Sequence, residues 1–277
     1  MKNFKQIIIG VFTSVLLLAG TGANALTLVD VKLALVLDAS GSISDLEFAD
    51  QMDGYVKAFD NATVKNNIAK HTNGVLVEMF FYATKTGTGS IQALLKTATD
   101  SENFSTAIAT LAAGGRPAGI QNGTNIAGGM NLARDWLTDL TEYKGAINVM
   151  DVSGDGFQNR KADGSSNDEI SKAAGIILVE AERDAADLAG ILVNGLAIDE
   201  DGDVDTFKDG CVAPNGYYVK HVVTTSVCVQ SAGFSSGDFE GAVIDKLTKD
   251  VPNVPEPASL ALLGLGLVGF GMRKRKA

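Results

Sequence analysis

The chain has 277 residues, 45% of them hydrophobic and 20% charged, with a formal net charge of −10 at pH 7. That length and composition suit one good-sized globular domain plus processing segments. Both ends are basic, through Lys2 and Lys5 and through Arg273–Lys276, so the acidity is concentrated in the middle, which argues against nucleic acid or an anionic membrane as a partner of the body.

Residues 1–25 read as a secretory signal peptide: Lys2 and Lys5, an apolar run over Ile7–Leu18, and small residues at Ala23-Asn-Ala25 for cleavage. Val31–Leu37, within a strand expected over 30–38, is a nearly continuous apolar run that breaks into Asp38-Ala-Ser40-Gly-Ser42. Such a run predicts a buried parallel strand leaving into a loop. In extended backbone, a carboxylate and two hydroxyls spaced by two turn toward one point. Oxygen-only ligands of this kind suit a hard cation such as Mg²⁺.

Ser44 and Glu47 have capping-box spacing and open a helix over 45–60, with Leu46, Phe48, Met52, Tyr55, Val56 and Phe59 as its inward stripe. Strands are predicted at 75–82 and, as a short edge strand, at 90–95. A helix follows at 101–112, and a Gly-rich loop at 114–119. A helix is predicted over 125–140, a strand over 145–152, a helix over 167–189 and a strand over 191–198. Tyr217–Val223 reads as a last strand, and Phe239–Lys249 as the closing helix. Alternating strands and helices predict an α/β fold: one domain over 26–250 with a doubly wound, mostly parallel sheet. Ligands of such sheets bind at the carboxyl ends of the strands, where both Asp38 and Asp155 fall.

The loop Asp38-Ala-Ser40-Gly-Ser42 resembles the D-x-S-x-S signature of the von Willebrand factor type A (VWA) family. Gly123-Thr124-Asn125-Ile126 is similar to the family's G-T-N-I loop, and Val149–Gly156 to its strand ending in D-G. The resemblance covers residues 28–250 and implies a Rossmann-like fold with a metal-ion-dependent adhesion site. The implied ligands are Asp38, Ser40, Ser42, Thr124 and Asp155, around Mg²⁺ or alternatively Mn²⁺ or Ca²⁺. A last coordination position is left for a carboxylate of a protein or matrix partner. Asp151, in mid-strand, is expected to be a core or outer residue, Gly123 to permit a tight loop, and Asn125 to cap a helix. The segments around Asp151–Gly156, Gly190–Ile198 and Tyr217-Tyr218 further resemble a bacterial VWA-like family of uncharacterised function.

Three features lie outside that pattern. Asp199-Glu-Asp201-Gly-Asp203-Val-Asp205 lacks the spacing of a calcium loop and reads as a solvated acidic loop. Cys211 and Cys228, the two cysteines, form a disulfide if the chain is exported, or else remain two inert thiols. No histidine-based or nucleophile-elbow motif accompanies the two histidines, His71 and His221, so an enzyme is not expected.

Residues 251–277 are different in composition: a Pro-rich linker, the triplet Pro255-Glu256-Pro257, an apolar Gly-rich stretch over Ala258–Met272 and a basic end. This resembles the PEP-CTERM sorting signal. The resemblance implies a transient inner-membrane intermediate, processing by an exosortase, and release to the surface or exopolysaccharide matrix of a Gram-negative bacterium. The expected role is therefore a metal-dependent adhesion module, with a polysaccharide-acting hydrolase or a purely structural matrix protein as alternatives.

Overall fold

The apolar run beginning near Val29 becomes the central strand of the molecule. In a computed structural model, which describes residues 26–166, 168–198, 216–224, 228–231, 233–234 and 238–251, β1 spans Thr27–Asp38. Leu33, Leu35 and Leu37 face one side of the sheet, and Ala34 and Val36 the other. Both sides are covered by helices, which explains why the strand reads as continuously apolar rather than alternating.

After β1 come α1 (Asp45–Asp60), α2 (Ala62–Ala69), β2 (Val75–Tyr82) and β3 (Thr86–Leu95). Then follow α3 (Ala98–Ala113), α4 (Ile126–Thr138), β4 (Tyr143–Gly154), α5 (Lys172–Leu188) and β5 (Ile191–Ile198). A π-helical turn at Tyr218–Val222, β6 (Cys228–Ser231) and α6 (Asp238–Asp250) complete the described chain. The sheet order is β3-β2-β1-β4-β5-β6. Every neighbouring pair is parallel except β2 with β3. The fold class expected from the sequence is the one observed. Among the described residues, no helix is long and apolar enough to cross a membrane.

Local chemistry sets the helix starts. Ser44 and Glu47 make the reciprocal capping box of α1, Asn125 accepts from the Gly128 amide to cap α4, and Ser171 accepts from Ala174 to start α5. The stripe Phe48, Met52, Tyr55 and Phe59 is buried against the sheet. Leu46, assigned to that stripe by spacing, is instead 80% exposed, in a first turn whose Asp45 is also exposed. The α2 helix was not anticipated; Asn61 caps it and Val64 and Ile68, four apart, bury its one apolar row.

The expected strand at Tyr217–Val223 is a π-helical turn instead. Tyr217 has helical dihedrals (φ −59°, ψ −46°), and the adjacent Tyr217 and Tyr218 are both buried in the same cluster. A strand would have sent them to opposite faces. The sheet edge is supplied by Cys228–Ser231. The signal peptide, the acidic run at 199–205, Cys211 and the tail with Pro255, Glu256 and Pro257 lie outside the described residues.

Candidate metal centre

β1 lies between β2 and β4, so the sheet reverses its winding beside it, and the crevice at such a point opens at the carboxyl ends of the strands. Leu37 pairs with Ser153, which sets Asp38 level with the end of β4 and beside Asp155. The two carboxylates expected to act together are thus brought together by strand register alone.

The loop after β1 turns rather than running extended. Ile43 N–H donates to Ser40 O at 3.2 Å, and Ser40 N–H donates to Asp38 Oδ1 at 2.7 Å. The turn gathers the side-chain oxygens more tightly than an extended loop would: Ser40 Oγ and Ser42 Oγ are 3.1 Å apart. Ser42 Oγ then donates to Asp155 Oδ1 at 2.8 Å, so the first and third loops meet.

The second loop joins through its backbone. Thr124 N–H donates to Asn159 Oδ1 at 2.8 Å, and Asn159 N–H returns to Thr124 O at 3.0 Å. A Cβ on Gly156 would lie 3.7 Å from Thr124 Oγ1, so Thr124 stands over the residue next to Asp155. Gln158 is fully buried beneath. Its amide donates to Asn125 Oδ1 at 2.8 Å, and its Oε1 accepts from Ala127 N–H at 2.9 Å. Gly123 has no left-handed backbone conformation; the Arg160 side chain packs across it and would have to move aside for a Cβ there.

Asp38 is fully buried and its Oδ2 has no hydrogen-bond partner. Burial, and then the neighbouring Asp155 charge, push its carboxyl up to about 8. That oxygen lies against Gly154 and near the Tyr82 and Tyr218 hydroxyls: a Cβ at position 154 would collide with Tyr82 and stand 2.7 Å from both Asp38 Oδ2 and the Tyr218 hydroxyl. An unpaired buried carboxylate oxygen, a second carboxylate, two linked hydroxyls and a nearby threonine make an all-oxygen donor set. It fits a hard divalent cation, whose charge would satisfy the orphaned oxygen. Among the described residues, no three His, Cys, Asp or Glu side chains form a metal-holding group. The set therefore leans on hydroxyls rather than on many carboxylates.

Asp38, Ser40, Ser42 and Asp155 thus converge, with Thr124 beside them. Asp151 stays apart as expected. It is paired with Lys246 of α6, which also lies 3.1 Å from Asp250, all three being buried. Sequence reasoning missed Arg116, Gln158 and Asn159. Arg116 had one visible signal, as the single charge in the Gly-rich loop 114–119; Gln158 and Asn159 had none.

The architecture, a mostly parallel six-stranded sheet with helices on both faces, is shared with solved structures. Proximal thread matrix protein 1 from the mussel byssus superposes with a TM-score of 0.50 at 14% identity over 80% of this chain and 46% of that one. The pilus adhesin SpaC of Lactobacillus rhamnosus GG gives 0.52 at 16% identity over 81% of this chain and 31% of that one. The minor pilin PilB of Streptococcus sanguinis gives 0.52 at 13% identity over 83% and 64%. The chain spans less than two thirds of the length of each, and at such identities the likeness is one of fold. No curated protein sequence matches it. The family described as a protein of unknown function (DUF1194) matches residues 28–255, and the PEP-CTERM protein-sorting motif matches residues 253–276.

Proposed function

The chain belongs to the DUF1194 family and ends in a PEP-CTERM motif, which marks an exported protein processed at the membrane by an exosortase; from this premise we propose that it is a surface or matrix adhesion module. In this reading it grips an acidic group of a partner through a divalent cation, Mg²⁺ or Mn²⁺. Asp38, Ser40, Ser42, Thr124 and Asp155 would hold the ion. The ion would supply an electrophilic point to which a foreign carboxylate binds. The observation that carries the reading is the orphaned Oδ2 of Asp38 beside the linked Ser40, Ser42 and Asp155 oxygens. With few carboxylates around it, a cation keeps most of its charge for a further anionic ligand.

The fold neighbours add support of a coarser kind, since they include a pilus adhesin, a minor pilin and a thread matrix protein. In the proposed setting the partner is a protein or matrix component of a Gram-negative surface or biofilm, and the chain is not an enzyme. The test is capture of partners from the native cell surface on the purified protein, with and without EDTA, and with Asp38→Ala as control. The proposal expects a partner retained with Mg²⁺ and released by chelator, and not retained by the variant. Binding that is indifferent to both would contradict it and favour a purely structural role.

A further inference from the structure

The loop that carries Ser40 and Ser42 has its backbone groups occupied from within the protein. Asp38 O accepts from Gln51 Nε2 at 2.9 Å. The amides of Ala39 and Gly41 donate to Tyr82 O and Asn122 O, each at 2.8 Å. Three more carbonyls are taken by one side chain from another loop. Arg116 Nη1 donates to Ser40 O at 2.9 Å and to Ala39 O at 3.4 Å, and its Nη2 donates to Ile43 O. Nη2 also lies 3.3 Å from Asp45 Oδ1, and the Arg116 side chain is only 19% exposed.

Both terminal nitrogens of the guanidinium are therefore engaged by the loop, Nη2 being shared with Asp45, while Nε is buried without a hydrogen-bond partner. A planar fork of fixed donors can hold several carbonyls at once in one geometry, which a lysine ammonium cannot. With the Ala39, Ser40 and Ile43 carbonyls taken by Arg116, the side-chain oxygens of Asp38, Ser40 and Ser42 are the groups of this loop that stay out of those bonds. We propose that Arg116 is a positioning residue of the cation site: it presets the loop so that Ser40 and Ser42 present their hydroxyls. This inference rests on the cation reading given above.

The proposal makes a prediction of sign. A positive charge near a cation site, acting through charge alone, weakens cation binding, so its removal would tighten binding. A positioning role has the opposite sign, because outer residues that orient ligands typically contribute about 10- to 100-fold in metal affinity. Mn²⁺ titration of the purified protein, followed through the electron paramagnetic resonance of free Mn²⁺, distinguishes the two. Wild type, Arg116→Ala, Arg116→Lys and Asp38→Asn would be compared, with melting curves in EDTA for each. Arg116→Ala is expected to raise the Mn²⁺ Kd about tenfold or more, Arg116→Lys by less, with metal-free melting lowered in both, because loop carbonyls lose their donor, but still as one cooperative transition. Should Arg116→Ala fail to fold, Arg116→Lys keeps the charge and stem and is judged by the same criterion. Equal or tighter Mn²⁺ binding in the folded variants overturns the proposal. A wild type that binds no Mn²⁺, or an Asp38→Asn that binds as well as wild type, overturns the cation reading itself.

Discussion

Asp38 concentrates the chemistry of this molecule at one residue. Its Oδ1 takes the Ser40 amide, and the carboxyl is pushed up to about 8 by burial and by Asp155, against smaller opposing contributions from Ser40 and the Tyr82 hydroxyl. Holding a negative charge there is costly without a cation. Asp38→Asn keeps the shape and removes the charge. It is predicted to raise the melting temperature in EDTA by about 2–4 °C, as expected for about 1 kcal/mol in a domain of this size, while losing any stabilisation by Mg²⁺. Melting curves with and without metal check both halves; a variant that melts lower in EDTA, or that still responds to Mg²⁺, contradicts the assignment. Asp38, Ser40 and Ser42 were legible in the sequence because their spacing is local. Thr124 and Asp155 were legible only through resemblance to a three-part pattern. Arg116 was not, because its contact with Ser40 joins residues 76 positions apart and leaves no periodic trace.

At the scale of elements, the helix starts were readable because caps are short-range chemistry: Ser44 with Glu47, and Asn125, act where expected. The π-helical turn at Tyr218–Val222 was not readable. Its Tyr-Tyr-Val composition favours a strand, and only packing of both tyrosines on one side decides otherwise. The last helix shows a device that local patterns also hide. Asp151 of β4 faces Lys246 and Asp250 of α6, Asn194 of β5 donates to Asp250, and the buried Tyr55 hydroxyl of α1, first by burial and then by the Asp151 charge, is held well above its ordinary range. Burial raises the Asp151 carboxyl to about 7; Lys246 opposes the shift and Asp250 adds to it. Below its ordinary value of about 3.9 both folded and unfolded states hold the proton. From there up to about 7 the unfolded chain has lost a proton that the folded one keeps, so stability falls as pH rises and levels off above. Asp38 contributes in the same direction up to about 8. Metal-free protein should therefore melt at lower temperature at pH 7 than at pH 5, and Asp151→Asn should remove about half of that slope. Calorimetry in EDTA at stepped pH checks this, and an Asp151→Asn slope parallel to wild type would contradict it.

At the scale of the whole molecule, the alternation of strands and helices carried most of the architecture, because a sheet covered on both faces needs continuously apolar strands. Sheet order and register were not in that pattern. They come from which strands pair, and they are what level Asp38 with the end of β4. The sorting motif at 253–276 begins just beyond Val251, the last described residue, which is itself buried. The folded body therefore reaches to the start of the tail. The central claim is that this body holds a divalent cation at Asp38, Ser40, Ser42, Thr124 and Asp155. A ligand bound only by the native state stabilises by mass action, so thermal unfolding of the purified protein against millimolar Mg²⁺ or Mn²⁺, beside Asp38→Asn and Thr124→Ala, tests it most directly. The account predicts a melting temperature that rises with metal in the wild type and in neither variant; variants that respond to metal like the wild type would contradict it.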